Sequence, residues 1–398
     1  MEKALGVAGL AVFLGVAWAA SDDRRSISWR LVIWGVVLQF VFALLILKTY
    51  AGRVVFDLAR AGMTRVIEYT DIGSRFLFGN LPTNSEIGAV VAFKVLPVII
   101  FVSSLMGVLS YLGIIQLIVR GMARVMEHTM KASGAESLMA AVFVFMGIEA
   151  TTGVKDYLGR MTRSEIFTVM AAFMSTIAGS VMAVYVSFGA SAGHLLAASV
   201  MSAPAAIAIS KLMVPEVDTP LTSTDARDMI RSSDVNVIEA AANGASDGLR
   251  LAATIGAMLL AFVALIGMLD SFLAYGGTSF GEITGYIFAP VAFLMGVPWE
   301  DCLKVGELLG IKVIFNEFIS YQKMQGYIAE GALRPRSVTI ATYALCSFAN
   351  FGSIAILIGG LGTLAPERKK EIARMSLKAL AAGVMASLTT ATIAGLLV

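Results

Sequence analysis

Long apolar runs constrain this chain more than any other feature of the sequence. A helix that crosses a bilayer needs about 20 mostly apolar residues, because the membrane interior holds no water to satisfy the backbone. Such runs occur at 5–20, 31–47, 87–115, 166–190, 192–213, 251–275, 338–362 and 377–398. Only 15% of the residues are charged, too few for the surface of a soluble protein. We therefore predict an all-α polytopic membrane protein with eight transmembrane helices.

The N-terminal run resembles a secretory signal peptide in its charged start. That start carries no net charge, however, and the run leads straight into Ser21–Arg25 and a second apolar run. We therefore expect a retained first transmembrane helix. Arg24, Arg25 and Arg30 place the first loop inside by the positive-inside tendency, so both chain termini are predicted to face outward.

Two further stretches, 137–158 and 285–322, are apolar but interrupted by glycine, proline or ionisable residues. Each carries a glutamate, Glu149 in the first and Glu317 in the second. Interrupted hydrophobic segments at corresponding places in two halves mark the binding site of many transporters, because broken helices offer free backbone N–H and C=O groups. The pair therefore predicts a site for a polar solute and a coupling ion.

The sequence after each glutamate repeats one plan, a short basic and polar turn followed by a helix with small and polar residues. From Ser164 to Ser180 is 16 positions, and from Ser337 to Ser353 is also 16. The matched spacing indicates an internal repeat.

Two polar segments separate the apolar runs. Residues 49–86 alternate charged and apolar side chains in a pattern that is typical of an amphipathic helix lying in the membrane interface. Residues 214–249, rich in Asp, Ser, Thr and Asn, are predicted to form a linker and a second surface helix.

The two glutamates in the interrupted stretches are candidate functional residues. An ionisable side chain inside a spanning segment costs at least a few kcal/mol, so it normally faces a cavity or a partner. A structural ion pair is the alternative, and Lys312 lies five residues before Glu317. A carboxylate accepts hydrogen bonds from sugar hydroxyls or base N–H groups, and Asn350 can both donate and accept. Together Glu149, Glu317 and Asn350 suit a neutral ligand that is rich in hydroxyls.

Three aromatic residues, Phe318, Phe348 and Phe351, flank these polar positions and are able to stack on a planar ring. Phe348 is favoured because it lies two residues from Asn350. Packing within the membrane is the alternative for each of them.

Other functional classes find less support. A net charge of +2 gives no large basic field, so no nucleic-acid partner is expected. Cys302, Cys346, His128 and His194 lack the spacing of metal ligands, so no metal site or cofactor is predicted. An intramembrane enzyme is disfavoured because no metal or nucleophile motif accompanies the glutamates. A passive channel is a further alternative, but paired broken helices favour alternating access.

A series of short blocks resembles the concentrative nucleoside transporter family. The blocks are Phe93–Phe101, Tyr111–Gly113, Ser133–Ser137, Met161–Glu165, Met295–Trp299, Asn316–Phe318 with Tyr321, and Phe348–Asn350 followed by Ser353–Leu357. They occur in the family's order from about residue 76 to 398. The chain is therefore similar to this family over most of its length.

The resemblance implies eight transmembrane helices, two oppositely oriented re-entrant hairpins in an inverted repeat, and interfacial helices. It also implies a homotrimer in the lipid bilayer of the bacterial inner membrane, which imports nucleosides by symport through an elevator-like motion. The expected segments are scaffold helices at 1–52, an interfacial and a scaffold helix at 53–132, the first hairpin and broken helix at 133–190, scaffold helices and a linker at 191–275, and the second hairpin, broken helix and last helix at 276–398.

The resemblance also assigns residues to substrate binding. They are Glu149 for the nucleobase, Glu317, Asn350 and Ser353 for the ribose, Val181 and Phe348 for the pocket lining, and the hairpin-tip residues Ile148 and Asn316. The interpretation of Glu317 and Asn350 from their chemistry alone agrees with this assignment.

The first hairpin tip departs from the family pattern. Sodium-coupled relatives read Gly-Gln-Thr-Glu-Ala-Pro there, after an Asn that helps to hold sodium, whereas this chain reads Gly-Ile-Glu-Ala-Thr from position 147. A coupling Na+ would then be held by main-chain carbonyls and the region of Ser175, Thr176 and Ser180. A coupling H+ would be carried by Glu149 or Glu317. A modified nucleoside, a nucleobase or another small polar solute is the alternative cargo.

Overall fold

The computed structural model describes residues 2–82, 91–148, 158–220 and 234–398, and every regular element within these ranges is a helix. The helices are α1 (Glu2–Ala19), α2 (Trp29–Lys48), α3 (Tyr50–Phe78), α4 (Val91–Lys94), α5 (Leu96–Tyr111), α6 (Ile114–Met130), α7 (Gly134–Val142), α8 (Arg163–Ser175), α9 (Gly179–Ser187), α10 (Ala192–Met213), α11 (Val237–Leu273), α12 (Phe280–Leu294), α13 (Cys302–Ile314), α14 (Glu317–Ala329), α15 (Pro335–Leu345), α16 (Phe351–Leu364) and α17 (Lys369–Leu397). Short 3₁₀ turns lie at Ala274–Gly276, Trp299–Asp301 and Pro366–Arg368.

Seven segments of the described chain are long and apolar enough to cross a membrane. They are Glu2–Ala19, Trp29–Lys48, Val91–Tyr111, Arg163–Ser187, Ala192–Met213, Val237–Gly276 and Pro366–Leu397. These segments confirm seven of the predicted runs, although residues 87–90 lie outside the described ranges. The remaining run, 338–362, is not one helix, because the backbone leaves helical geometry between α15 and α16. The predicted all-α polytopic fold is confirmed, with this span and the span Arg163–Ser187 each built from two half-helices.

The predicted interfacial helix at 49–86 is α3, which begins at Tyr50 and ends at Phe78. Thr49 caps its first turn by accepting a hydrogen bond from the N–H of Gly52 at 3.0 Å. Charged and apolar side chains occupy different faces of the helix, as an interface requires. Residues 83–86 of the predicted segment lie outside the described ranges.

The separate surface helix predicted within 214–249 is wrong. Residues 221–233 lie outside the described ranges, and from Val237 the chain runs as one helix of 37 residues, α11, to Leu273. At 1.5 Å per residue, α11 is roughly 55 Å long. The polar first part and the apolar second part therefore belong to one element.

Small residues explain why α11 continues through its polar part. A Cβ built on Gly244 would lie 2.5 Å from the carbonyl oxygen of Ser103, and one on Gly248 would lie 2.8 Å from Cα of Ile100. Ser104 also donates its hydroxyl to the carbonyl of Ala241 at 2.9 Å. Glycine lets helix backbones approach closely in membranes, so α5 and α11 pack as one body.

A helical segment precedes the broken helix in each repeat. α7 starts the predicted first hairpin at a capping box formed by Ser133 and Glu136. The predicted tip residue Glu149 and residues 150–157 lie outside the described ranges. The second hairpin consists of α13 and α14, which meet at Phe315–Asn316.

The two repeats begin at opposite ends of α1. Arg163, at the start of α8, pairs with Asp22 just beyond the end of α1 at 3.0 Å. Arg336, at the start of α15, pairs with Glu2 at the beginning of α1 at 3.2 Å. Because α1 is long enough to span the membrane, α8 and α15 start from opposite faces. The predicted inverted repeat is confirmed by this geometry.

A buried ion cluster anchors the base of the first hairpin. Lys211, at the end of α10, places its Nζ 2.8 Å from Oε2 of Glu136 and 3.0 Å from Oε2 of Glu216. Its ammonium group also donates to the hydroxyl of Ser164 in α8 at 2.9 Å. The cluster joins α7, α8 and α10, and its Lys211 and Glu136 are buried whereas Glu216 is 22% exposed.

Candidate functional site

A cavity lies where the two broken helices meet. The first helix breaks between α8 and α9, and the second breaks between α15 and α16. The space between atoms in the cavity, including the part open to solvent, is about 750 Å³. The breaks, the second hairpin tip and α11 all contribute side chains to its walls.

The cavity collects the described residues that the sequence assigns to substrate binding. They are Ile148, Val181, Asn316, Glu317, Phe348, Asn350 and Ser353. Although these residues come from separate parts of the chain, they line one space. Their individual roles stay predictions, and Glu149 lies outside the described residues.

Glu317 is the charged group among the described residues of the cavity, and it is held by two donors. Tyr185 donates its hydroxyl to Oε1 at 2.8 Å, and Asn350 donates its Nδ2 amide to Oε2 at 3.0 Å. Both contacts are buried. A buried carboxylate without such partners would be strongly destabilising. The orientation of the carboxylate is therefore fixed from two sides.

Asn350 is also the N-cap residue of α16. Its Oδ1 accepts a hydrogen bond from the N–H of Ser353 at 2.8 Å, which is an N-cap interaction. The cap fixes which end of the amide carries the oxygen, so the NH₂ group faces Glu317. Asn316 caps α14 in the same way, accepting from Ile319 at 3.0 Å.

Lys312 does not form a close ion pair with Glu317. It is buried, and its Nζ donates to the hydroxyl of Ser387 on α17 at 3.4 Å. It acts on Glu317 only through the longer-range attraction between opposite charges. The alternative of a structural ion pair between Lys312 and Glu317 is therefore wrong, and Lys312 instead connects the hairpin to α17.

Apolar side chains form most of the remaining wall. Phe348 lines the cavity and packs against Phe173, with ring centroids 5.7 Å apart. Phe318 also reaches the cavity, whereas Phe351 is 51% exposed and lies away from it. The preference for Phe348 among the three aromatic residues is consistent with this placement.

Sequence reasoning missed a stripe of α11 that closes the cavity opposite the second hairpin. It consists of Leu251, Thr254, Ile255 and Met258. These positions recur at helical spacing, so they share one face of the helix. Their i, i+3, i+4, i+7 spacing is visible in the sequence. In a helix that is apolar on all sides, however, this spacing does not show which face lines a cavity.

Comparison with known proteins assigns the chain to a family. Models described as Na+-dependent nucleoside transporter N-terminus, nucleoside recognition, and Na+-dependent nucleoside transporter C-terminus match residues 8–81, 92–192 and 194–395. An uncharacterized transporter, YutK of Bacillus subtilis, is 41% identical and is covered over 100% of both chains. The chain belongs to the concentrative nucleoside transporter family. Solute carrier family 28 member 3 of Homo sapiens is also 41% identical over the whole chain.

The human concentrative nucleoside transporter is longer than this chain, which spans 60% of its length. Sodium/nucleoside cotransporter 1 of Mus musculus is 40% identical, and the chain spans 64% of it. The structure of CNTnw in an inward-facing substrate-bound state superposes with a TM-score of 0.94 at 39% identity, covering 100% of this chain and 98% of that one. These relatives are transporters, not enzymes.

Three hydroxyl residues mark a candidate ion site in this concentrative nucleoside transporter. Ser175, Thr176 and Ser180 lie at the first helix break, and all three are buried. Ser175 donates its hydroxyl to the carbonyl of Ala171 at 2.5 Å, which leaves its oxygen able to accept. In the described part of the chain, no cluster of His, Cys, Asp or Glu suits a transition-metal ion.

Proposed function

We propose that this chain is a secondary active transporter that imports nucleosides together with a cation, Na+ or H+. The paired hydrogen bonding of Glu317 within the cavity carries the proposal. Each carboxylate oxygen has more than one lone pair, so both retain capacity for sugar hydroxyls. Asn350 and Ser353 stand beside it with further polar groups. A polar end of this kind suits ribose.

The apolar part of the cavity suits a planar base. Phe348, Phe173 and Val181 offer flat or branched apolar surface, and Ile148 of the first hairpin tip is apolar as well. A base held mainly by such walls would be selected by shape and stacking. This favours discrimination through the sugar over discrimination through the base edge. A modified nucleoside or a nucleobase is the second candidate cargo, because Ile148 cannot read a base edge.

Either cation has support. Buried hydroxyl and carbonyl oxygens at the first helix break are the type of ligand that Na+ takes, and the mouse relative is named a sodium/nucleoside cotransporter. Glu317 is the described carboxylate of the cavity and is the natural carrier if the cation is H+. Separate gradients distinguish the two.

Alternating access would proceed by movement of the hairpins and broken helices against α5 and α11. The close glycine packing makes α5 and α11 a rigid pair, whereas the cavity separates α11 from the second hairpin tip. α10 packs against α8, the first half of a broken helix, and against α2, so we group α10 and α2 with the moving body, although residues 1–52 were predicted to be scaffold. Within the predicted scaffold segment 191–275, we therefore assign only α11 to the scaffold.

Assembly and location follow from the same family. The protein is a multi-pass membrane protein, and we propose that it resides in a bacterial inner membrane as a homotrimer. Only 11% of the residues in the most apolar window of Val237–Gly276 are buried in the single chain, which leaves this part of α11 free to face lipid or other copies. Native mass measurement in detergent would test the trimer, and a monomer at all concentrations would contradict it.

The decisive experiment is uptake of radiolabelled uridine and adenosine into proteoliposomes, with a Na+ or an H+ gradient imposed separately. Protein-free liposomes and vesicles without a gradient are the controls. Accumulation above the external concentration under one gradient supports the proposal and identifies the ion. Equilibration without accumulation would indicate a channel. No uptake of either nucleoside by folded protein would contradict a nucleoside cargo.

A further inference from the structure

Tyr185 joins the two repeats through the carboxylate of Glu317. It lies on α9, in the first repeat, and its hydroxyl donates to Oε1 of Glu317 in the second repeat at 2.8 Å. Tyr185 is 1% exposed and Glu317 is 6% exposed. Removal of a partner from a buried, charged hydrogen bond is costly because the remaining group stays desolvated. We propose that Tyr185 is the positioning residue that fixes Glu317 for the ribose, an inference that rests on the proposed function.

The ring of Tyr185 is itself held firmly. It stacks on Tyr321 with ring centroids 4.4 Å apart and an interplanar angle of 19°. The ring of Phe318 meets it edge-on at 6.1 Å. These contacts leave the hydroxyl little freedom, so it presents its donor to Oε1 in one direction.

The second donor completes a clamp on the carboxylate. Nδ2 of Asn350 donates a hydrogen bond to Oε2 of Glu317. The amide cannot flip, because its Oδ1 accepts a hydrogen bond from the N–H of Ser353. Two donors on two different oxygens fix both the position and the plane of the carboxylate of Glu317. Fixed geometry of this kind favours binding because less freedom is lost when the ligand arrives.

α9 carries both a cavity-lining residue and the residue that holds Glu317. Val181 lines the cavity, and Tyr185 follows four residues later, one turn along the helix. Tyr185 itself does not line the cavity and acts on the ligand only through Glu317. A shift of α9 relative to the second hairpin would therefore change the apolar wall and the carboxylate together.

Tyr321 provides a matched control. It is a buried tyrosine in the same ring stack, but its hydroxyl donates to the main-chain carbonyl of Thr342 at 2.7 Å. Tyr185→Phe and Tyr321→Phe each remove one buried hydroxyl and keep the ring. A purely structural role for these hydroxyls would give both variants the same pattern of effects.

The test compares uridine, 2′-deoxyuridine and 3′-deoxyuridine as competitors of labelled uridine uptake into proteoliposomes. Tyr185→Phe should weaken uridine by about tenfold or more. The loss of affinity should be much smaller for the deoxynucleoside that lacks the hydroxyl bound by Glu317. Removal of the Tyr185 hydroxyl and removal of that sugar hydroxyl weaken the same interaction, so their effects are not additive. Tyr321→Phe should affect all three competitors equally. An equal loss for all three in Tyr185→Phe, or unchanged uridine affinity, would overturn the proposal.

Both variants are measured on protein that elutes as a folded species, which guards against misfolding. The parent proposal fails separately: unchanged uridine affinity in Glu317→Gln would contradict the ribose site itself, whatever Tyr185→Phe shows.

Discussion

The main-chain N–H of Phe348 donates to the carbonyl oxygen of Thr176 at 3.0 Å, so the breaks of the two repeated helices are hydrogen-bonded to each other. The first break is also tied to its own hairpin, because Gly179 donates to the carbonyl of Phe145 at 3.1 Å. Unwound backbone is tolerated at membrane depth only where its polar groups are satisfied or line a cavity. The two helix breaks satisfy some of their backbone polar groups by bonding to each other, and they lie together beside the cavity.

Replacing Glu317 with glutamine tests the ribose site. Glutamine has a single carbonyl oxygen, so one of the donors on Tyr185 and Asn350 would lose its acceptor. Each buried donor left in this state costs about 1–3 kcal/mol. We expect uridine uptake to fall at least tenfold in Glu317→Gln, with the protein still folded. Uptake is measured in proteoliposomes, and Glu330→Gln, at an exposed position of the same hairpin, should behave like the wild type.

Asn350 allows its helix cap to be separated from its contact with Glu317. Asn350→Ala removes both, whereas Asn350→Ser keeps a side chain that can cap the N–H of Ser353. The cap contributes about 1 kcal/mol to stability, which the serine variant should retain. Both variants should weaken nucleosides more than free nucleobases in competition assays. If the serine variant recovered nucleoside affinity together with stability, the contact with Glu317 would be unnecessary.

Much of the site was predictable because ionisable residues in apolar segments have few explanations. Glu317 was found in this way, Asn350 was found from its capacity to donate and accept hydrogen bonds, and the structure brings the two within 3.0 Å of each other. Tyr185 was not found, since a tyrosine in an apolar run is ordinary and its partner lies 132 positions away. Only the packed structure shows that its hydroxyl needs an acceptor and where that acceptor is.

The fold followed from hydropathy except where backbone geometry or small residues decide. The run at 338–362 gives no apolar signal for the break before Asn350, because hydropathy reports side chains and not backbone angles. The polar start of α11 was assigned to a separate surface helix. Ala240, Gly244 and Gly248, spaced four apart, are the signal that it continues and packs against α5.

The ion cluster at the base of the first hairpin should contribute strongly to stability. Lys211→Met would leave Glu136 buried without its counter-ion, and breaking a buried pair in this way costs about 3–5 kcal/mol. Lys378→Met is the control, because the pair of Lys378 with Asp22 is partly exposed and worth at most about 1 kcal/mol. Thermal unfolding in detergent should separate the two variants clearly. Equal melting temperatures would show that Glu136 finds another partner.

The glycine contacts between α5 and α11 can be tested with alanine. A Cβ at Gly244 would meet the carbonyl of Ser103 at 2.5 Å, whereas a Cβ at Gly267, further along α11, would meet nothing within 4 Å. Gly244→Ala should therefore destabilise the protein by about 1–3 kcal/mol through overpacking. Gly267→Ala should be neutral or slightly stabilising, since alanine is the better helix former. Thermal unfolding in detergent measures both, and similar behaviour would contradict close packing.

Two adjacent glycines of α16 provide a test of the apolar wall. A Cβ on Gly360 would lie 2.5 Å from Cγ1 of Ile148, but a Cβ on Gly359 would meet nothing within 4 Å. Gly360→Ala should push Ile148 into the cavity and weaken uridine by several-fold, as overpacking costs about 1–3 kcal/mol. Gly359→Ala should leave affinity unchanged. Combining Gly360→Ala with Ile148→Ala removes the clash, so uridine affinity should recover in competition assays. Failure to recover would show that Gly360 acts through α16 and not through the cavity wall.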